Sequence, residues 1–174
     1  GKGSTFTLTV HAPAVAEEVE DTLSDDEMPL PALHVLLVED IELNVIVARS
    51  VLEKLGNTVD VAMTGKAALE MFAPGEYDLV LLDIQLPDMT GLDISRELKK
   101  RYQADDLPPL VALTANVLKD KKEYLDAGMD DVLSKPLAVP ALTAMIQKFW
   151  DTRNDEENSV AEIDSSKAQS VLDT

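Results

Sequence analysis

Four short stretches of this chain hold residue types able to move a phosphoryl group: Glu39-Asp40, Asp83, Thr114-Ala115 and Lys135-Pro136. Together they offer three carboxylates, a hydroxyl and an ammonium. Carboxylates held close to one another repel, and at least one would keep its proton unless a cation neutralised them. Mg2+ removes that cost with hard oxygen ligands, and it keeps room for water and a phosphate oxygen. Lys135 could then place a point charge on a phosphoryl oxygen, and the Thr114 hydroxyl could donate a hydrogen bond to another. One Asp is left to attack phosphorus and form an acyl phosphate. Metal and Lys would stabilise the charge on the transferring group. This chemistry works only if the chain brings the four stretches to one place.

Short apolar runs alternate with longer helical patterns between residues 33 and 150. The runs are His34–Val38, Thr58–Ala62, Asp78–Leu82, Leu110–Thr114 and Asp131–Ser134. His-Val-Leu-Leu-Val and Leu-Val-Leu-Leu are almost continuously apolar, as strands of a parallel sheet covered on both faces must be. Helix candidates lie at about 41–55, 64–73, 91–101, 118–127 and 139–150. Leu43, Val47, Val51 and Leu55 recur every four residues and predict a buried stripe along the first helix. Gly56, Gly75 and Gly128 read as helix stops. Five β–α repeats predict an α/β fold: a (βα)5 doubly wound parallel sheet of flavodoxin-like strand order 2-1-3-4-5. Ligands of such sheets bind at the carboxyl ends of the strands. All four reactive stretches sit at those ends. Asp83 closes the middle strand and is the best nucleophile candidate. The loop Ile84-Gln85-Leu86-Pro87-Asp88-Met89-Thr90-Gly91 is short and turn-rich, and it could turn a backbone carbonyl to the metal.

Each stretch has a plainer reading alone. Glu39-Asp40 could cap the first helix, Asp83 could be a turn residue, and Lys135-Pro136 could be a strand exit. Their joint arrival at one rim favours the site. Asp88 and Asp93 read as a solvated loop acid or helix-start acid. His11 and His34 lack the setting of a relay histidine. Met63, Met71, Met129 and Met145 read as core filler, and Trp150 as packing at the end of the last helix.

The 174 residues carry 33 acids and 15 Lys and Arg, a formal net charge of −18. That argues against a nucleic-acid backbone or an anionic membrane as main partner. The absence of Cys excludes a disulfide scaffold and a cysteine nucleophile. No apolar run approaches the ~20 residues of a membrane span. Much of the charge lies in two linkers, residues 13–32 with seven acids and no base, and residues 151–174. Residues 33–150 hold 19 acids against 12 bases over 118 residues, a usual single-domain size. Gly1 in place of Met predicts a chain processed or cut from a longer one.

Val38-Glu39-Asp40, Leu82-Asp83 followed by Leu86-Pro87 and Gly91, Leu113-Thr114-Ala115, and Ser134-Lys135-Pro136 together resemble the response-regulator receiver domain of two-component signalling. The resemblance implies that Asp83 accepts a phosphoryl group from phosphohistidine. It implies that Glu39, Asp40, Asp83 and the Gln85 backbone carbonyl bind Mg2+, that Thr114 and Lys135 read the phosphoryl group, and that Lys135-Pro136 is a cis peptide. Many receivers carry Tyr or Phe three residues before the Lys. Here Val132 stands there, so a Thr–aromatic switch cannot operate and readout must use another element, such as the segment after Thr114.

Residues 1–12, with Gly1-Lys2-Gly3-Ser4-Thr5-Phe6, resemble the end of a histidine-kinase ATP-binding domain, and residues 168–174 resemble the opening of a histidine phosphotransfer domain. The implied parent is a hybrid sensor histidine kinase of the bacterial inner membrane, with this segment in the cytoplasm. Its implied partners are the phosphohistidine of the kinase, a histidine phosphotransfer domain and a downstream response regulator. Two other classes stay open: a docking module that works unphosphorylated, and a small Asp-nucleophile phosphatase. The phosphatase would need a second acid two residues after Asp83, where Gln85 stands.

Overall fold

A computed structural model describes residues 30–152. The expected kinase remnant at 1–12, most of the first linker and residues 153–174 lie outside the described residues. The acidic linker predicted at 13–32 ends within them: residues 30–32 have no regular structure, and Leu30 already packs on the core.

Five strands form one parallel sheet in the order 2-1-3-4-5. They are β1 (His34–Val38), β2 (Thr58–Ala62), β3 (Leu79–Asp83), β4 (Leu110–Thr114) and β5 (Asp131–Ser134). The helices are α1 (Glu42–Lys54), α2 (Gly65–Met71), α3 (Gly91–Arg101), α4 (Val117–Asp126) and α5, helical over 139–152. The third strand starts and ends one residue later than the sequence predicts, because Asp83 itself joins the ladder opposite Leu113. A short 3-10 turn at Ala104–Asp106, without a signal in the sequence, precedes β4.

Alternation along the strands sorts the core into two layers. Leu36, Val38, Val80 and Leu82 face α2, α3 and α4, meeting Ala68, Phe72, Ile94 and Leu98. Val35, Leu37, Leu79 and Leu81 face α1 and α5, meeting Ala48, Leu52, Leu142 and Met145. With both faces buried, a one-residue slip would exchange the two side-chain sets, so packing fixes register strongly. That register places Asp83, and with it the site.

The expected stripe on α1 is not the buried one. Leu43 is 68% and Val47 39% exposed, whereas Ala48 and Leu52 are buried, with Val45, Val51 and Leu55 packed beside them. A four-residue step overshoots the 3.6-residue turn by about 40°, so the row winds about 120° around the helix from Leu43 to Leu55. Met63 and Met71 are likewise exposed at 42% and 38%, while Met129 and Met145 are buried as expected. Gly56 takes φ +85° directly after α1, a conformation costly for any residue with a Cβ.

His34 lies at the amino end of β1, the end of the sheet opposite Asp83. Its ring nitrogens stand 2.7 Å from the Glu76 carbonyl and 3.0 Å from the Asp60 carboxylate. Tyr77 packs against that ring and donates to the same carboxylate at 3.0 Å. Burial, helped by Asp60, pushes the Tyr77 phenol up to about 12, so it stays a donor.

Candidate functional site

The sheet register assembles the site. Val38 pairs with Leu82, Asp83 with Leu113, and Thr114 with Ser134. The last residues of β3 and β4, Asp83 and Thr114, and the first residues beyond β1 and β5, Glu39 and Lys135, therefore emerge at one rim. The Glu39 N–H donates to the Ala62 carbonyl and the Lys135 N–H to the Thr114 carbonyl, which carries the ladder one step past the strands.

Glu39, Asp40 and Asp83 bring carboxylate oxygens within 4.8 Å of one another. Glu39 is 1% and Asp83 2% exposed. Neither Glu39 nor Asp40 is the N-cap of α1; that position is Ile41, without a side-chain cap. Both Glu39 oxygens are engaged: Oε1 accepts from the Ile41 N–H at 3.2 Å and from Asn44 at 3.1 Å, and Oε2 from Lys135 at 3.2 Å, which leaves a lone pair on Oε2 for a cation. Asp83 accepts from the Gln85 N–H at 3.1 Å on Oδ1 and from Lys135 at 2.8 Å on Oδ2. Asp40 Oδ1 is buried and has no hydrogen-bond partner. Asn44 is a site residue that the sequence reading missed. Its place one turn into a helix that follows two acids was the available signal.

Three carboxylates face one ammonium, an excess of two negative charges. The charge excess, the oxygen donors and the orphaned Asp40 oxygen fit a small hard divalent cation. Burial alone would lower the Lys135 pKa. The bond to Asp83 and the charges of Asp83 and Glu39 outweigh it, so the pKa is raised and Lys135 remains charged. The Lys135-Pro136 peptide is cis, as the resemblance implied.

The other expected residues lie around this centre. Thr114 ends β4, 7% exposed, with the Asn116 N–H on its hydroxyl at 3.2 Å. The loop between β3 and α3 is closed at its base by the Gly91 N–H on the Ile84 carbonyl and by a Gln85–Thr90 bridge. A Cβ on Gly91 would stand 2.5 Å from the Asp83 carbonyl oxygen, so glycine is required for the loop to return this close. Pro87 lies on the loop, and Pro136 lines a cavity beside the acids. Asp93 is the expected helix-start acid, in a capping box with Thr90. Asp88 is not merely a solvated loop acid: it binds the first two N–H groups of α2. Those bonds, from Lys66 and Gly65, hold its carboxyl below the usual range. Val132 is buried at 6% exposure.

Residues 35–147 match the family described as the response regulator receiver domain. The chain belongs to that family. The receiver is 82% identical over 173 residues to the aerobic respiration control sensor protein ArcB of Escherichia coli (strain K12), a match that covers 99% of this chain and 22% of ArcB. It thus spans about a fifth of that relative's length. It resembles the receiver domain of the sensor histidine kinase PA1611 from Pseudomonas aeruginosa, solved with a magnesium ion coordinated in its active-site cleft. There the identity is 34%, the TM-score 0.60, and coverage 68% of this chain and 97% of that one. It also resembles the Saccharomyces cerevisiae receiver of Ssk1, co-crystallised with the histidine phosphotransfer protein Ypd1, at 29% identity and TM-score 0.61, covering 68% and 88%. The two-component phosphorelay receiver that the motifs implied is therefore what this fold and family are. Among the described residues no helix is long and apolar enough to cross a membrane.

Proposed function

We propose that Asp83 takes a phosphoryl group from a phosphohistidine and holds it as an acyl phosphate for onward transfer. The observation that carries this reading is the buried Asp83 carboxylate, grouped with Glu39 and Asp40 and held by Lys135. An Asp83 oxygen bonds to phosphorus as the phosphorus–nitrogen bond breaks. The electron pair stays on the leaving imidazole nitrogen. Asp40, Asp83, Glu39 and the Gln85 carbonyl are the residues to hold Mg2+, which when bound neutralises charge on the phosphoryl oxygens. Lys135 and the Thr114 hydroxyl would take the remaining phosphoryl oxygens. With Val132 in place of an aromatic, the segment after Thr114 carries the readout.

The donor and acceptor partners are the phosphohistidine of a parent hybrid kinase and a histidine phosphotransfer domain, with an ArcA-like response regulator downstream. The likeness to ArcB and to a receiver crystallised with a phosphotransfer protein supports this. The same likeness supports a cytoplasmic segment of an inner-membrane kinase, with residues 1–12 ending its ATP-binding domain and 151–174 leading to the phosphotransfer domain.

The face such partners would use adjoins the acids. A cavity of about 430 Å³ is lined by Leu43, Val47, Leu113, Pro136 and Leu137, with Glu39 and Lys135 at its polar end. Ile46, 58% exposed, lies on the same helix as Leu43 and Val47. Ile46→Asp should slow transfer from a phosphohistidine protein by about thirtyfold, the loss of one hot-spot contact of roughly 2 kcal/mol. Labelling by acetyl phosphate should be unchanged. Equal slowing with both donors would refute this docking face.

The reading itself is tested by intact mass after incubation with acetyl phosphate, with and without Mg2+. One phosphoryl group should be gained, dependent on Mg2+ and labile to base. No gain despite Mg2+ binding would favour the unphosphorylated docking module, and steady turnover of phosphomonoesters the phosphatase.

A further inference from the structure

An α-helix starts with N–H groups that its own carbonyls cannot reach. In α2 the N-cap Thr64 satisfies the third residue, with the Ala67 N–H on its hydroxyl at 3.1 Å. The first two helical residues, Gly65 and Lys66, donate instead to a residue 22 or 23 positions away. Gly65 N–H meets Asp88 Oδ1 at 2.9 Å and Lys66 N–H meets Asp88 Oδ2 at 2.9 Å. Next to that clamp, Met89 lies so close over Gly65 that a Cβ there would stand 2.2 Å from Met89 Cγ.

The base of the β3–α3 loop is held by backbone bonds, as described above, but these do not reach its tip. We propose that Asp88 is a positioning residue for the phosphoryl-transfer site: its carboxylate moors the loop tip to α2 and so steadies the Gln85–Thr90 bridge at the base, which holds Gln85 where its carbonyl would serve Mg2+. Asp88 itself would touch neither the metal nor the phosphoryl group. It acts through the loop, as outer-shell partners of metal ligands do. The inference rests on the Mg2+ reading of the acids given above.

The merely structural alternative is that Asp88 stabilises α2 as any cap does. Thr64 separates the two, because its hydroxyl caps the same helix through the Ala67 N–H and takes no part in the Asp88 clamp. In the full chain, Asp88→Ala should raise the Mg2+ dissociation constant, followed by amide NMR shifts, about tenfold, the lower end of what lost outer-shell partners cost. Acetyl-phosphate labelling should slow at low Mg2+ and return to the wild-type rate at saturating Mg2+. Thr64→Ala should lower the thermal midpoint while leaving the dissociation constant and labelling as in wild type. A wild-type dissociation constant in Asp88→Ala, or an equal change in Thr64→Ala, overturns the proposal. So does slow labelling of Asp88→Ala that saturating Mg2+ does not restore. If the wild-type chain itself binds no Mg2+, the reading of the acids fails first and this inference falls with it.

Discussion

Asp83→Asn should gain no phosphoryl group from acetyl phosphate at any Mg2+ concentration. The substitution keeps the volume and the acceptor for the Gln85 N–H, so the loop has no steric reason to move. What it removes is the nucleophile: a carboxylate oxygen can attack phosphorus, whereas an amide oxygen is a far weaker donor of electrons. It also lowers the charge excess at the rim from two to one, because Asp40, Glu39 and the Lys135 ammonium remain. Mg2+ binding should therefore weaken together with the loss of labelling, by about tenfold for each 1.4 kcal/mol of attraction removed. Intact mass reads the first effect and NMR titration the second. Stoichiometric, base-labile incorporation in Asp83→Asn would place the acceptor elsewhere. Asp40 would then be the next candidate, since its buried oxygen lacks a partner.

Much of this centre was legible because its parts are local. Strand positions followed from runs such as Leu79–Leu82, whose continuity fits burial on both faces. Once strands are parallel and in order, their carboxyl ends share a rim, so Glu39, Asp83, Thr114 and Lys135 could be grouped without coordinates. What stayed hidden was relational. A row of apolar residues four apart looks like a buried face. Counting the angle shows it winding from the solvent side at Leu43 to the core side at Leu55. The same winding leaves Leu43 and Val47 beside the acids, as the wall of a cavity. Asp88 looked like any turn acid because its two donors are 22 and 23 residues upstream, a separation without sequence signature. Asn44 was missed for a milder reason: helix and acids were both foreseen, but not the reach of its amide back to Glu39.

Lys135→Ala should produce an opposed pair of effects, tighter Mg2+ binding and slower phosphoryl transfer. In the present structure Lys135 neutralises Asp83 and Glu39, both almost completely buried. Removing one partner of a buried ion pair costs about 3–5 kcal/mol when nothing replaces it. Here a divalent cation can replace it. In chelator the variant should melt well below wild type, and added Mg2+ should raise its midpoint by more than it raises that of wild type, since ligand binding to the folded state adds directly to stability. The ammonium no longer repels the cation, so its dissociation constant falls. The transition state, by contrast, loses a charge placed to meet the phosphoryl oxygens, a loss of about 10²–10³ in rate where such groups have been removed. Neutral pH does not blunt the contrast. The raised Lys135 pKa means that its stabilising charge is fully present below the ordinary Lys value of about 10.4 and fades only as pH rises through the higher folded value. A general loss of structure would weaken metal binding and transfer together. A purely structural lysine would leave transfer at the wild-type rate once Mg2+ had restored the midpoint, and that result would remove Lys135 from the phosphoryl site.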